Sequence, residues 1–140
     1  MGAPLHLKHK PIIAVDDYDE NDAQFAGNTD AMALSIGIAQ YDNSDKEISL
    51  KVWRYTGEKW SRQSEELPIH RCIDLNILFL DSLLRNIENK YPDTSLKGTI
   101  RKMDKVINIT KYYEDNKIHL EPRLIELKMK LMRFLENYNK

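Results

Sequence analysis

Lys51-Val-Trp-Arg-Tyr-Thr-Gly-Glu-Lys-Trp-Ser-Arg-Gln-Ser-Glu-Glu66 runs straight into Leu67-Pro68 and a long apolar segment. The residues on either side of Thr56-Gly-Glu-Lys59 read as a β-hairpin, with Gly57 at the first central position of a type II′ turn, where positive φ is needed. That register sets Tyr55 across from Trp60, Trp53 across from Arg62, and Ser64 beside Lys51. Side chains alternate across a strand, so Lys51, Trp53, Tyr55, Trp60 and Arg62 share one face while Val52, Arg54, Ser61 and Gln63 take the other. Cross-strand aromatic pairs and an arginine stacked on an indole contribute about 0.5–1 kcal/mol each. The first face is therefore aromatic and cationic, and it is the candidate binding surface.

The strands before it follow the same logic. Leu34, Ile36 and Ile38 alternate with Ser35, Gly37 and Ala39, a strand with one bulky face and one face of small residues against which something large can lie. The aromatic side chains of the hairpin are the nearest candidates. Tyr41-Asp-Asn-Ser-Asp-Lys46 is turn chemistry, and Glu47 to Tyr55 resumes the alternation. Upstream, Pro11-Ile-Ile-Ala-Val15 is a short run suited to an edge strand. In the acidic stretch Asp16-Asp-Tyr-Asp-Glu-Asn-Asp22, Asp17 or Asp19 can cap a short helix that Gly27 stops. The alternate acids there also suggest a calcium loop, but Asp22 stands where that loop requires glycine and Asn28 where it requires the bidentate glutamate.

Downstream, Pro68 to Tyr91 reads as one helix whose apolar residues cover more than half its circumference, and Pro92 stops it. A shorter helix is expected over 99–113. A final helix starts at Leu120-Glu-Pro122, with Leu124, Leu127, Leu131, Leu135 and Tyr138 on one stripe. The fold class is α+β: a three-stranded antiparallel meander over about 33–41, 47–55 and 60–66, extended to four strands if Ile12–Val15 joins, and packed by long C-terminal helices. Residues 1–10 read as a flexible tail and residues 11–140 as a single domain.

At 140 residues, with 41% hydrophobic and 31% charged residues, the chain suits one soluble core. No run reaches the ~18 apolar residues of a membrane span, and the first residues lack the apolar core of a secretory signal, so a cytoplasmic protein is expected. The lone Cys72 excludes an intrachain disulfide. The net charge of −1 hides an asymmetry. Residues 11–45 hold eight acids and no base, whereas residues 97–140 hold eleven bases and six acids. An acidic lobe can rest on a basic one within a chain or between subunits, or meet a charged partner.

The wording Leu50-Lys-Val-Trp-Arg-Tyr-Thr-Gly-Glu-Lys-Trp-Ser-Arg-Gln-Ser-Glu-Glu-Leu-Pro-Ile-His-Arg71, with Pro11-Ile-Ile-Ala-Val-Asp-Asp-Tyr18 and Asn28-Thr-Asp-Ala31 upstream, resembles a family of small bacterial proteins of unknown function. The resemblance spans roughly the first 90 residues and not the C-terminal third. It implies a bacterial, cytoplasmic origin and no particular chemistry.

Three functions compete. An enzyme would recruit Glu65, Glu66 and His70 with Arg71 at the hairpin–helix junction, Asp74 orienting the imidazole one turn on. Carboxylates before a helix are ordinary caps, however, and the chain has no nucleophile motif, phosphate loop or paired metal-ligand spacing. Single-stranded nucleic acid could stack on Lys51, Trp53, Tyr55, Trp60 and Arg62, but the charge balance gives no basic footprint. The reading preferred is a non-catalytic protein-interaction or self-associating module using the hairpin face, a homo-oligomer that needs no metal or cofactor, because aromatics and arginine anchor such surfaces.

Overall fold

Along residues 31–38 small side chains alternate with bulky apolar ones, the period of two that a pleated sheet requires. The computed structural model describes residues 1–41, 44, 46–61, 65–88 and 107–138. The architecture is α+β. Strands β1 (Lys10–Val15), β2 (Ala31–Ile38), β3 (Ile48–Arg54) and β4 (Glu66–Pro68) form a four-stranded antiparallel meander in the order β1-β2-β3-β4. Helices α1 (Ile69–Glu88), α2 (Ile107–Asp115) and α3 (Lys117–Tyr138) follow. Met1–Leu80, with the whole sheet, belong to one compact unit, and α2 and α3 belong to a second. No helix among the described residues is long and apolar enough to cross a membrane.

The edge segment expected at Ile12–Val15 does join the sheet, with a bulge between Pro11 and Ile13. Proline lacks a ladder donor, so an edge strand is where a sheet tolerates it. Gly37, opposite Pro11, is needed for close approach: a Cβ there would lie 2.1 Å from the Lys10 carbonyl oxygen and 2.8 Å from Pro11 Cα.

The acidic stretch departs from the short helix expected of it. It forms two 3-10 turns, Tyr18–Glu20 and Ala23–Phe25, and Asp17 makes no side-chain cap. Its groups turn back to the N-terminal residues instead. Asp16 Oδ1 accepts from the Ala3 amide at 2.9 Å, and the Asp17 amide donates to the Met1 carbonyl at 3.1 Å. Residues 1–10, read as a tail, thus lie along the sheet unit, with Pro4 and His9 buried. Among the described residues no group of three His, Cys, Asp or Glu has metal-holding geometry.

The hairpin turn forms with Gly57 at φ 97°, the Thr56 amide donating to the Lys59 carbonyl at 2.9 Å and Tyr55 bridged to Trp60. Ser61 then donates to the Arg54 carbonyl at 2.7 Å, but further along Lys51 pairs with Glu66 rather than with Ser64. The return strand has slipped by two residues. A shift of two keeps every side chain on its face, so the slip delivers Glu66, expected as a helix cap, into the sheet opposite Lys51. The first helix accordingly starts at Ile69, with Pro68 closing β4.

The second helix is seen over Ile107–Asp115, and the rest of the expected 99–113 segment lies outside the described residues, as do positions 89–91 of the first. The last helix begins earlier than its proline suggested, at Lys117, with Pro122 inside it.

Which face of the sheet is buried also differs from the simplest hydrophobic reading. Ala31, Ala33, Ser35, Gly37 and Ala39 are buried, while Ile36 on the bulky face is 39% exposed. The small residues make room for Trp53, which is 2% exposed and pairs with Ala33 across the β2–β3 ladder.

Candidate functional site

The buried face carries an unusual polar row. Ser35, Lys51 and Glu66 stand side by side on β2, β3 and β4 because Lys51 is the register partner of both neighbours. Ser49 lies one step along β3 from that row, beside Gly37. His9, immediately before β1, inserts its ring among them. Its Nδ1 lies 3.0 Å from Ser49 Oγ and 3.2 Å from Glu66 Oε1, and its Nε2 lies 2.9 Å from Ser35 Oγ. Ser49 Oγ donates to Glu66 Oε1 at 2.6 Å, as does the Gln40 amide at 3.0 Å. Trp53 Nε1 donates to Ser35 Oγ at 2.8 Å.

These contacts admit one consistent assignment of protons. The indole N–H is a donor only, so Ser35 Oγ accepts from Trp53 and is free to donate its own hydrogen to His9 Nε2. His9 then carries its proton on Nδ1, donating to Ser49, and Ser49 donates to Glu66. The chain Trp53→Ser35→His9→Ser49→Glu66 runs in one direction and ends on a carboxylate. A protonated imidazole would aim its Nε2–H at Ser35 beside the indole N–H of Trp53, and the Ser35 hydroxyl hydrogen would lose its acceptor.

Electrostatics agree with this assignment. Burial holds the His9 imidazole below its ordinary pKa, although the Glu66 carboxylate pulls the other way. For Glu66, burial pushes the pKa up, but the hydrogen bonds from Ser49, the Gln40 amide and His9, with the charge of Lys51, outweigh it and leave the carboxyl below its usual range. Burial also lowers the Lys51 pKa, against the attraction of Glu66.

Above this network lies a cleft of about 800 Å³ bounded by Lys8, His9, Tyr41, Lys51, Trp53 and Trp60, among others. Lys51 Nζ sits 4.5 Å from the Trp53 ring centroid, a cation–π distance. Trp60 packs edge-to-face on both Trp53 (centroids 5.8 Å apart) and Tyr55 (5.2 Å), and His9 packs the same way on Trp53 at 5.6 Å. Edge-to-face is the arrangement ring quadrupoles favour.

The expected aromatic–cationic face is thus assembled for Lys51, Trp53, Tyr55 and Trp60, whereas Arg62 lies outside the described residues. Its members differ in access: Trp53 and Lys51 are buried, Tyr55 and Trp60 half-buried. The junction residues are not brought together. Glu65 is exposed and pairs with Arg54 at 2.8 Å, His70 and Arg71 are exposed on α1, and only Glu66 enters the network.

The histidine that meets Glu66 is His9, and sequence reasoning missed it. The alternation Ser49, Lys51, Trp53 opposite a strand of small residues is the signal from which a polar layer facing a close neighbour could have been read. What supplied that neighbour depended on β1 taking the edge beside β2.

The sheet thus carries its polar layer beneath an aromatic cleft. The chain belongs to a family of unknown function, DUF6530, whose model matches residues 1–97. That span contains the whole sheet and every residue of the network. No curated protein and no solved structure matches the chain.

Proposed function

We propose that this is a non-catalytic binding module that works through the aromatic–cationic face of its hairpin. One observation carries the reading. The residues that could be taken for a catalytic set, Ser49, His9 and Glu66, are closed upon one another, with Ser49 fully buried and its hydroxyl committed to Glu66, while Trp60, Tyr41 and Lys51 stand on the wall of an open cleft. A nucleophilic serine needs a base to accept its proton and access to an electrophile; here the histidine Nδ1 donates toward Ser49 and no face of the hydroxyl is exposed. The network instead fixes the N-terminal segment, β3 and β4 beneath the aromatic rings, so that the cleft is rigid before anything enters it.

The test is an NMR screen of small flat molecules, charged and neutral, followed at the Trp60 indole N–H. The reading expects saturable movement of that signal with some of them. A Trp60 signal that no member moves would refute the hairpin face as a binding surface.

Self-association belongs to the same proposal, supported by the other face of the sheet. Ile13, Val15 and Ile36 are more than a third exposed there and border an apolar hollow of about 360 Å³ with Leu34, Leu50 and Cys72. Exposed apolar surface of this kind marks association sites, and the occupant proposed is a second copy of the chain, in the cytoplasmic setting expected from the sequence. Light scattering of the pure protein should give a dimer or larger, and a strict monomer at all concentrations would refute it.

A further inference from the structure

Resting on the reading of the hairpin face as the binding surface, the geometry points to the ligand's chemistry: we infer that the cleft takes a small planar organic anion, its negative group on Lys51 Nζ and its flat body against Trp60 and Tyr41. Lys51 is 7% exposed, so its ammonium has given up most of its water. An ammonium carries three donors, yet among the described residues Lys51 has neither an ion pair nor a hydrogen-bond acceptor, and it rests only on the Trp53 ring. Its register partner Glu66 is adjacent and attracts it, but Glu66 Oε1 takes Ser49, the Gln40 amide and His9, and the buried Oε2 makes no hydrogen bond to Lys51 or to any other described group. The charge of Lys51 is therefore held in place without a direct acceptor, in a position that opens on the cleft.

The rest of the lining selects the kind of acceptor. Lys8 adds a second cation, and no carboxylate stands among the described lining residues, so the field they set up in the cleft favours an anion. Three aromatic rings, Tyr41, Trp53 and Trp60, border the same space. They favour a flat, polarisable body over a branched aliphatic one. A volume of about 800 Å³ suits a molecule of ordinary metabolite or drug size, for which pockets run to about 300–1,000 Å³. An aromatic carboxylate and a mononucleotide both meet these demands, and the shared chemistry is a planar group bearing one anionic head.

The experiment compares matched pairs on the intact protein. The chain has two tryptophans, so a ¹⁵N-edited spectrum shows two indole N–H signals, assigned with Trp60→Phe. Benzoate is titrated against benzamide, and adenosine monophosphate against adenosine. The anion of at least one pair should move the Trp60 signal saturably and bind roughly tenfold or more tighter than its neutral partner, as a charge-assisted contact warrants. Added salt should weaken the anion and leave the neutral partner unchanged. Lys51→Met should erase the difference and Lys51→Arg should keep it; the salt arm decides the matter without a variant if Lys51→Met fails to fold.

If charged and neutral partners bind alike, the anion inference falls while the aromatic cleft stands. If neither pair moves Trp60, the anion inference falls, and the wider fragment screen decides the fate of the hairpin reading. If affinity instead climbs with the length of a single-stranded oligonucleotide far beyond the mononucleotide, the ligand is nucleic acid and the small-anion inference is overturned.

Discussion

Replacing Ser35 by alanine isolates the polar network from everything else in the molecule. The hydroxyl is buried and stands between two groups, accepting from Trp53 Nε1 at 2.8 Å and facing His9 Nε2 at 2.9 Å. Alanine fits the same space, so no overpacking arises, and the cavity left is a single oxygen. The cost is two buried polar atoms without partners. Each unmet group costs about 1–3 kcal/mol. The sum falls near 2–4 kcal/mol once some relaxation of the His9 ring is allowed. That is a large share of the ~5–15 kcal/mol stability of a typical domain.

The assay is urea unfolding followed by tryptophan fluorescence. Trp53 and Trp60 both lie in the sheet unit, so the signal reports that unit. The midpoint should fall with little change in slope. In a Trp53→Phe background the same substitution should cost less, by about 1 kcal/mol or more, because one of the two orphaned groups is already gone. A loss under about 0.5 kcal/mol, the size of an ordinary surface change, would refute the argument that Ser35 is the hinge of the network.

Three further outcomes follow from the same geometry. Gly37→Ala should destabilise the sheet by about 1–3 kcal/mol or more, since the new Cβ meets the Lys10 carbonyl at 2.1 Å and that neighbour is backbone; amide exchange along β1 should rise, and unchanged protection would contradict the close approach. Glu66→Gln should cost about 2–4 kcal/mol, because it weakens charge-assisted bonds from Ser49 and His9 and strips Lys51 of the nearby negative charge; chemical denaturation measures it, and a neutral effect would show that the carboxylate is not the end of the chain. Ser49 should resist a fluorophosphonate probe in the native protein, read by mass spectrometry; covalent labelling at that residue would overturn the non-catalytic reading.

Much of this architecture was legible in the sequence because its signals were local. Alternation around Gly57 set the turn and the Tyr55–Trp60 pair. The alternation of Ser35, Gly37 and Ala39 with Leu34, Ile36 and Ile38 identified β2 and its small face. Two features were not legible, and both are non-local. The slip between Ser61 and Glu66 changes a pairing by two residues while preserving the face of every side chain, so no periodicity records it. His9 sits in a polar, basic segment without strand or helix pattern, and its burial comes from what β1 and β2 place around it. The candidate site was half legible for the same reason: the aromatic and cationic members announced themselves on one hairpin, whereas the network beneath them draws on residues 57 positions apart in the case of His9 and Glu66.

The protonation of His9 tests the central claim, that Ser49, His9 and Glu66 form a closed structural network supporting the cleft, most directly. Because burial lowers its pKa in the folded protein, the unfolded chain binds the proton first as the solution is acidified. The stability contributed by the neutral ring is therefore whole above the ordinary imidazole pKa of about 6.5 and declines as pH falls below it. Glu66, whose folded pKa is also lowered, adds a second loss only further down, below the ordinary carboxylate range. In ¹⁵N-detected imidazole spectra of the native protein, His9 should remain neutral with its hydrogen on Nδ1 at pH values below about 6.5. A His9 that titrates at or above that value, or that carries its hydrogen on Nε2, would contradict the account.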